Sequence, residues 1–308
     1  MPESYLAYAT STERPIPAKI LANAEATLIR WSDGANGKRI AERVEIRLSD
    51  GRKRVVHAHK GVVVAAGALA SSNLLAASGI EGTGKGMSLN IACPVVALMP
   101  HGCDKNVWNE DQMATYVDRG DFLLESHFQP PMSMATLVPG WFEEHFERMQ
   151  NYNRLVSAGV LFPADRLGRM VDGKLELVIG PPELDVLRRG LATMTKIHFR
   201  AGAVEVFPAL LRGQTLLRGL TDAEIDAFYH DAIREPDDVV LSSSHPHGGN
   251  GISRNPHNGV VDLNQRVHGT TNCYVADASV LPTCIRVNAQ LTTMAMAHRA
   301  FWGKRRFA

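Results

Sequence analysis

The chain has 308 residues, 33 Lys+Arg against 32 Asp+Glu, 45% hydrophobic and 21% charged residues. That is apolar material enough for a sizeable core and leaves no charge excess for a polyanion, which argues against a disordered tail and against a dedicated nucleic-acid binder. No apolar run approaches the ~18 residues that span a bilayer, and Met1 to Lys19 lacks the charged-then-apolar pattern of a signal peptide, so the expectation is a cytoplasmic protein without a membrane span.

Residues 22 to 57 read as a β-meander: Ala26 to Trp31, then Val44 to Leu48, a Ser49-Asp50-Gly51 turn, and Arg54 to His57 returning. Val62-Val63-Val64 is an apolar run that leads to Ala65-Ala66-Gly67, followed by a helical composition from Ala68 to Ser78 that stops at Gly79. Strand, glycine turn and helix make the unit of a parallel α/β sheet, and a strand apolar on both sides calls for cover on both faces. The middle, Cys93 to Ile179, mixes short strands with Pro and Gly around a helical stretch from Trp141 to Tyr152. Pro182 to Arg200 is a long amphipathic helix with Leu184, Leu187, Leu191, Met194 and Ile197 on one face. Thr221-Asp222-Ala223-Glu224 is a capping box that opens another helix. Val239 to Ser243 and Cys273 to Ala276 read as strands, and Leu291 to Phe301 as a closing helix.

Four segments carry chemistry. Gly79-Ile80-Glu81-Gly82-Thr83-Gly84-Lys85-Gly86 nearly matches a phosphate-binding GxxxxGK[ST] loop, but Gly86 supplies no hydroxyl for magnesium and the segment follows a helix instead of opening one; it reads as a helix-terminating loop. Ser242 to Gly251 gathers His245, His247, several hydroxyls and three glycines next to an apolar run, where ligands approach the backbone in α/β proteins. A metal shared by these histidines needs a third ligand such as His257, so no metal is expected. Val275-Ala276-Asp277-Ala278-Ser279 brings a carboxylate and small residues to a strand end, and Asn288 stands where it can cap the last helix. The four cysteines, Cys93, Cys103, Cys273 and Cys284, include no CxxC pair and read as reduced thiols.

In order and spacing these pieces resemble the glucose-methanol-choline (GMC) oxidoreductases, FAD-dependent alcohol dehydrogenases and oxidases. The resemblance rests on Val62 to Ile80, His245-Pro246-x-Gly248, Val275 to Ser279, Asn288 to Ala297, Phe128-Gln129-Pro130-Pro131 and Pro139-Gly140-Trp141-Phe142. It implies an α/β plus α+β fold, with partial FAD-binding, Rossmann-like segments around an antiparallel-sheet substrate domain flanked by helices. The segments divide as 1–92, partial FAD-binding; 93–244, substrate-binding; and 245–308, catalytic loop and closing FAD segment. The family's GxGxxG loop, whose glycines let the backbone approach the FAD pyrophosphate, occurs nowhere in these residues. The expectation is therefore a chain corresponding to the family's C-terminal portion, completed by a separate FAD-binding chain, or else a noncatalytic remnant that binds a partner.

The resemblance further implies oxidation of a small-molecule alcohol by hydride transfer to flavin N5, with His245 accepting the hydroxyl proton and Asn288 holding the same oxygen. A neutral imidazole suits that task near neutral pH. By matching position Ala26, Ala66, Gly67, Asp277, Ala278, Ala289 and Thr292 line the cofactor. Phe122, Phe128, Trp141, Phe142 and Phe146 are candidates for an apolar substrate lining, which suits a long-chain or cyclic alcohol.

Overall fold

The computed structural model describes residues 6–104 and 115–301. After a single turn of helix, α1 (Ala7–Thr10), comes the three-stranded antiparallel meander: β1 (Ala24–Asp33), β2 (Arg39–Leu48) and β3 (Lys53–His57). Val44 stands at its centre, paired with Ile29 on one side and Val56 on the other. Strand β4 (Val62–Val64) leads to helix α2 (Ala68–Ala77). That helix closes when the Gly79 and Ile80 amides turn back to the carbonyls of Ala76 and Leu75, with Ile80 and Leu75 packed in one apolar cluster. The glycine-rich segment beyond is a helix ending that leads into a strand, as its composition indicates.

The largest layer is an eight-stranded sheet. Its spine is β5 (Lys85–Leu98) against β8 (Leu155–Val171), in antiparallel register from Lys85–Arg169 to Leu98–Leu155. On one side of β8 lie β7 (Leu123–His127) and then β6 (Tyr116–Asp118), with β9 (Lys174–Leu177) folded back on its far end. On the other side of β5 lie β10 (Glu205–Pro208) and β11 (Leu216–Leu217). β5 is apolar along nearly its whole length because both its faces are covered. Val95 and Ala97 share a cluster with Leu187 and Leu191 of helix α5 (Pro181–Arg200), whereas Val96 between them joins Met134 of helix α3 (Pro131–Leu137).

Helix α5 begins at two prolines, with the Gly180 amide donating to Glu183. It buries Leu184, Leu187, Leu191 and Met194, but Ile197 is exposed and Thr195 and His198 take the inward places, since a period of 3.6 carries the stripe from 191 to 194, 195 and 198. Helix α6 (Asp222–Ala232) has the expected capping box, Glu224 N–H donating to Thr221 Oγ1 and Thr221 N–H to the Glu224 carboxylate. Helix α4 (Phe142–Gln150) turns Met149 toward the sheet and Phe142 and Phe146 outward.

Two expectations are corrected here. Residues 239–243 form no strand; their only ladder pairings among the described residues are isolated bridges, Val239 with Leu210 and Ser242 with Ala92. The edge of β5 is instead filled in three pieces: β10 along residues 95–98, Ser242 at Ala92, and a short strand β12 (Pro246–Gly249) along residues 85–89. The run of valines in β4 is also covered on one side only. Its partner is β13 (Cys273–Val275), parallel to it, and this sheet has two strands among the described residues, so Val64 is buried while Val63 is 42% exposed. Helix α7 (Gln290–Phe301) closes the described chain.

Candidate active site

His245 sits in the gap between the Ser242 bridge and β12, so a strand register fixes the backbone on both sides of it. Its amide donates to Ser243 Oγ at 3.2 Å. The ring is half-buried and faces a cavity of about 240 Å³ that it shares with Glu125, His127, Phe128, Gln129 and Leu161. Burial pulls the imidazole below its ordinary value, and the charge of Glu125 offsets part of that. The neutral ring is therefore the resting form at neutral pH, able to take a proton.

His247, two residues on, is a different kind of group. It is buried, its Nδ1–H donates to the His245 carbonyl at 2.7 Å, and its Nε2 accepts the Ile285 amide at 3.3 Å. Both ring nitrogens hold backbone, and burial lowers its affinity for a proton as well. It ties β12 to the segment that carries Asn288. Among the described residues no group of three His, Cys, Asp or Glu side chains could hold a metal.

Sequence reasoning missed Glu125 and His127. They alternate along β7, and Glu125 is buried to 6% exposure with its carboxylate 3.5 Å from His127 Nε2. The His127 ring packs against Gly159 of β8, where a Cβ would overlap its Cε1. The missed signal was a buried acid inside an apolar strand, Phe122-Leu123-Leu124-Glu125, a placement that needs a partner or a task.

Four of the residues expected at the cofactor, Ala66, Gly67, Asp277 and Ala278, lie together at the carboxyl ends of β4 and β13. Asp277 Oδ2 accepts from Gly67 N–H at 3.0 Å and Ser71 Oγ at 2.5 Å, and Oδ1 accepts from Ser279 N–H at 2.9 Å. The carboxylate thus clamps β13 to the start of α2, where it also meets the positive end of that helix. Ala66, Gly67 and Ala278 surround the clamp with nothing larger than a methyl group, and a Cβ on Gly67 would meet no atom within 4 Å. Ala26 is placed elsewhere, exposed on β1 in the meander. Ala289 is buried at the start of α7, its carbonyl accepting from the amide and hydroxyl of Thr293, and Thr292 is half-buried in the first turn.

That first bond makes Ala289 the residue at the head of α7. Asn288 lies one position further out, at the entry to the helix. Residues 285–287, just before it, line a second cavity of about 240 Å³ that shares Leu161 with the cavity of His245. The aromatic lining is corrected too. Phe128 borders the His245 cavity and Phe122 the neighbouring one, but Trp141 and Phe142 line a separate cavity of about 440 Å³ with Pro208 and Leu211, and Phe146 is exposed on α4.

A parallel strand pair ending in small residues thus stands beside a large antiparallel sheet with a histidine at its edge. Two family models described as GMC oxidoreductase match, one over residues 168–297 and one, for the family's N-terminal portion, over residues 5–93; the chain belongs to the GMC oxidoreductase family. It is 29% identical over 291 residues to an uncharacterized GMC-type oxidoreductase of Mycobacterium tuberculosis, covering 89% of this chain and 44% of that protein. A long-chain-alcohol oxidase of Arabidopsis thaliana is 26% identical over 265 residues, 78% of this chain and 35% of that one. The formate oxidase of Aspergillus oryzae, in a structure concerned with modification of its FAD, superposes with a TM-score of 0.63 at 13% identity, over 94% of this chain and 61% of that one. The chain thus spans less than half the length of the curated relatives it matches.

The match over residues 5–93 corrects the expectation that the family's N-terminal part is missing from the chain. FAD is the cofactor that goes with this family. The open, methyl-lined ground at Ala66, Gly67 and Ala278 fits a flat ring lying close to the backbone, whereas the glycine loop that holds the pyrophosphate does not occur in the 308 residues.

Proposed function

We propose that this chain carries the substrate-oxidising side of an FAD-dependent GMC oxidoreductase acting on an alcohol, with His245 as the base. The observation that supports the reading best is the His245 ring, neutral, half-buried and facing a cavity that it shares with the buried Glu125. Bound FAD supplies the acceptor for the hydride that leaves the alcohol carbon. His245 takes the hydroxyl proton as the carbonyl forms, and the Glu125 carboxylate stabilises the imidazolium that results. Asn288 hydrogen-bonds the same oxygen and fixes the carbon, and Ala66, Gly67, Ala278 and Thr292 border the flavin ring. Asp277 acts on the cofactor side through its hold on the Gly67 amide.

The substrate is a long-chain or cyclic apolar alcohol. The likeness to a long-chain-alcohol oxidase supports this, and so do Ala92, Pro94, Phe128 and Leu161 around the base. Part of the same proposal is that a second chain supplies the pyrophosphate-holding loop, in the cytoplasm, where the four thiols stay reduced. The test joins this chain to a GxGxxG-bearing segment of the family and follows flavin reduction by alcohol in rapid mixing. His245→Ala should slow reduction about 10²- to 10⁴-fold with flavin still bound, the usual cost of losing a general base. An unchanged rate would remove His245 from the mechanism.

A further inference from the structure

Although it is no nucleotide-hydrolysing loop, the glycine-rich segment after α2 forms one wall of a cavity. Gly82, Lys85 and Gly86 face Gly249, Gly251 and the loop 256–259 across about 470 Å³. Lys85, Arg166 and His257 all reach this space, and no Asp or Glu lines it. None of the three is in an ion pair among the described residues, whereas nearby Arg169 is held by Glu176 at 2.8 Å.

Arg166 is placed with some force. Its φ is +59°, a left-handed conformation that costs a non-glycine residue energy and persists only where the surroundings hold it. Two hydrogen bonds hold it there: its amide donates to Ser88 Oγ at 2.8 Å, and its Nη1 donates to the Pro282 carbonyl at 3.2 Å. The guanidinium lies over Gly86, where a Cβ would come within 3.3 Å of Nη2. The planar fork is thus fixed at the cavity wall with donors to spare, and the Lys85 ammonium is on the same wall.

Positive charge on a concave surface without carboxylates concentrates anions, and a guanidinium fork beside an ammonium matches the oxygens of a phosphate group. The volume exceeds that of a bare phosphate and falls in the range of small-ligand sites. We propose that this cavity binds the phosphate group of a small phosphorylated molecule, at a site distinct from that of His245. The two are at opposite ends of β12, and their cavities share no lining residue.

The test is calorimetric titration of the full chain with inorganic pyrophosphate and with ribose 5-phosphate, ribose being the neutral control. Saturable binding of both phosphates, one per chain and weakening with added salt, is expected, with no binding of ribose. Arg166→Gln and Lys85→Gln should each weaken it at least tenfold while leaving the circular dichroism unchanged, since both side chains are exposed. His245→Gln should bind pyrophosphate as the wild type does, which separates this site from the oxidation chemistry. The proposal is overturned if no saturable heat appears at millimolar ligand, if the Arg166 and Lys85 variants bind as tightly as the wild type, or if the chain binds vesicles containing phosphatidic acid but not pyrophosphate.

Discussion

His245 and His247 are two residues apart and stand in opposite settings, because their rings meet different partners. The His247 ring holds two backbone groups, and the His245 ring faces a cavity. The charge of Glu125 raises the proton affinity of His245 against the effect of burial, so removing that charge leaves burial unopposed. In the flavin-loaded enzyme Glu125→Gln should therefore move the acid limb of the reduction rate to lower pH; a shift to higher pH would mean that Glu125 does not act on this imidazole. A third histidine affects stability. His198 on α5 is buried with Nε2 unpartnered, and burial drops its value from 6.5 to about 4. Below pH 6.5 the unfolded chain takes up a proton that the folded chain refuses, so stability should fall as the pH drops from 6.5 to 4, by about 3 kcal/mol. Urea unfolding at a series of pH values measures this, and His198→Leu should flatten the slope. The sequence displayed His245 through its His-Pro-x-Gly setting, but it hid Glu125, because nothing local says that a carboxylate on β7 faces a residue 120 positions away.

Among the elements, those with a strong local signal formed where the sequence placed them: the meander turn at Ser49 to Gly51, the Thr221 capping box, and α5 behind its two prolines. Those that depend on partners did not. Residues 239–243 have the composition of a strand, but β10 and β12 occupy most of the β5 edge and leave them one bridge to it, through Ser242. The packing of α5 on the sheet gives a prediction of its own. Gly190 brings the helix backbone onto β8, and a Cβ there would lie 2.4 Å from Val160 Cγ1. Alanine within a helix ordinarily gains 0.5 to 1 kcal/mol over glycine, roughly, but overpacking costs about 1 to 3. Gly190→Ala should thus be destabilising by about 1 to 2 kcal/mol in chemical unfolding. Adding Val160→Ala should cost less in the Gly190→Ala background than in the wild type; a stabilised single variant would mean that the helix does not approach so closely.

At the scale of the whole molecule, the large sheet is covered by its helices on both faces, but the parallel pair β4–β13 is not. Val63 is 42% exposed in the middle of a valine run, and Leu291 is 74% exposed on α7, a helix whose one fully buried residue is Ala300. Exposed apolar groups on an α/β edge contribute little where they stand and matter where something covers them. Under the proposed assembly, the covering body is the segment that carries the pyrophosphate loop. Val63→Thr and Leu291→Gln should therefore shift the stability of the chain alone by no more than about 0.5 kcal/mol, as surface substitutions do. In the assembled enzyme the same changes place a hydroxyl or an amide in a buried contact and should loosen both the union and the flavin. Flavin absorbance retained through gel filtration measures both states. The chain alone should elute colourless, the assembly yellow, and the doubly substituted assembly paler than its parent. Stoichiometric flavin on the chain alone would show that the clamp at Asp277 and Gly67 holds FAD without a pyrophosphate loop, and equal colour in parent and variant assemblies would show that Val63 and Leu291 are not the covered ground.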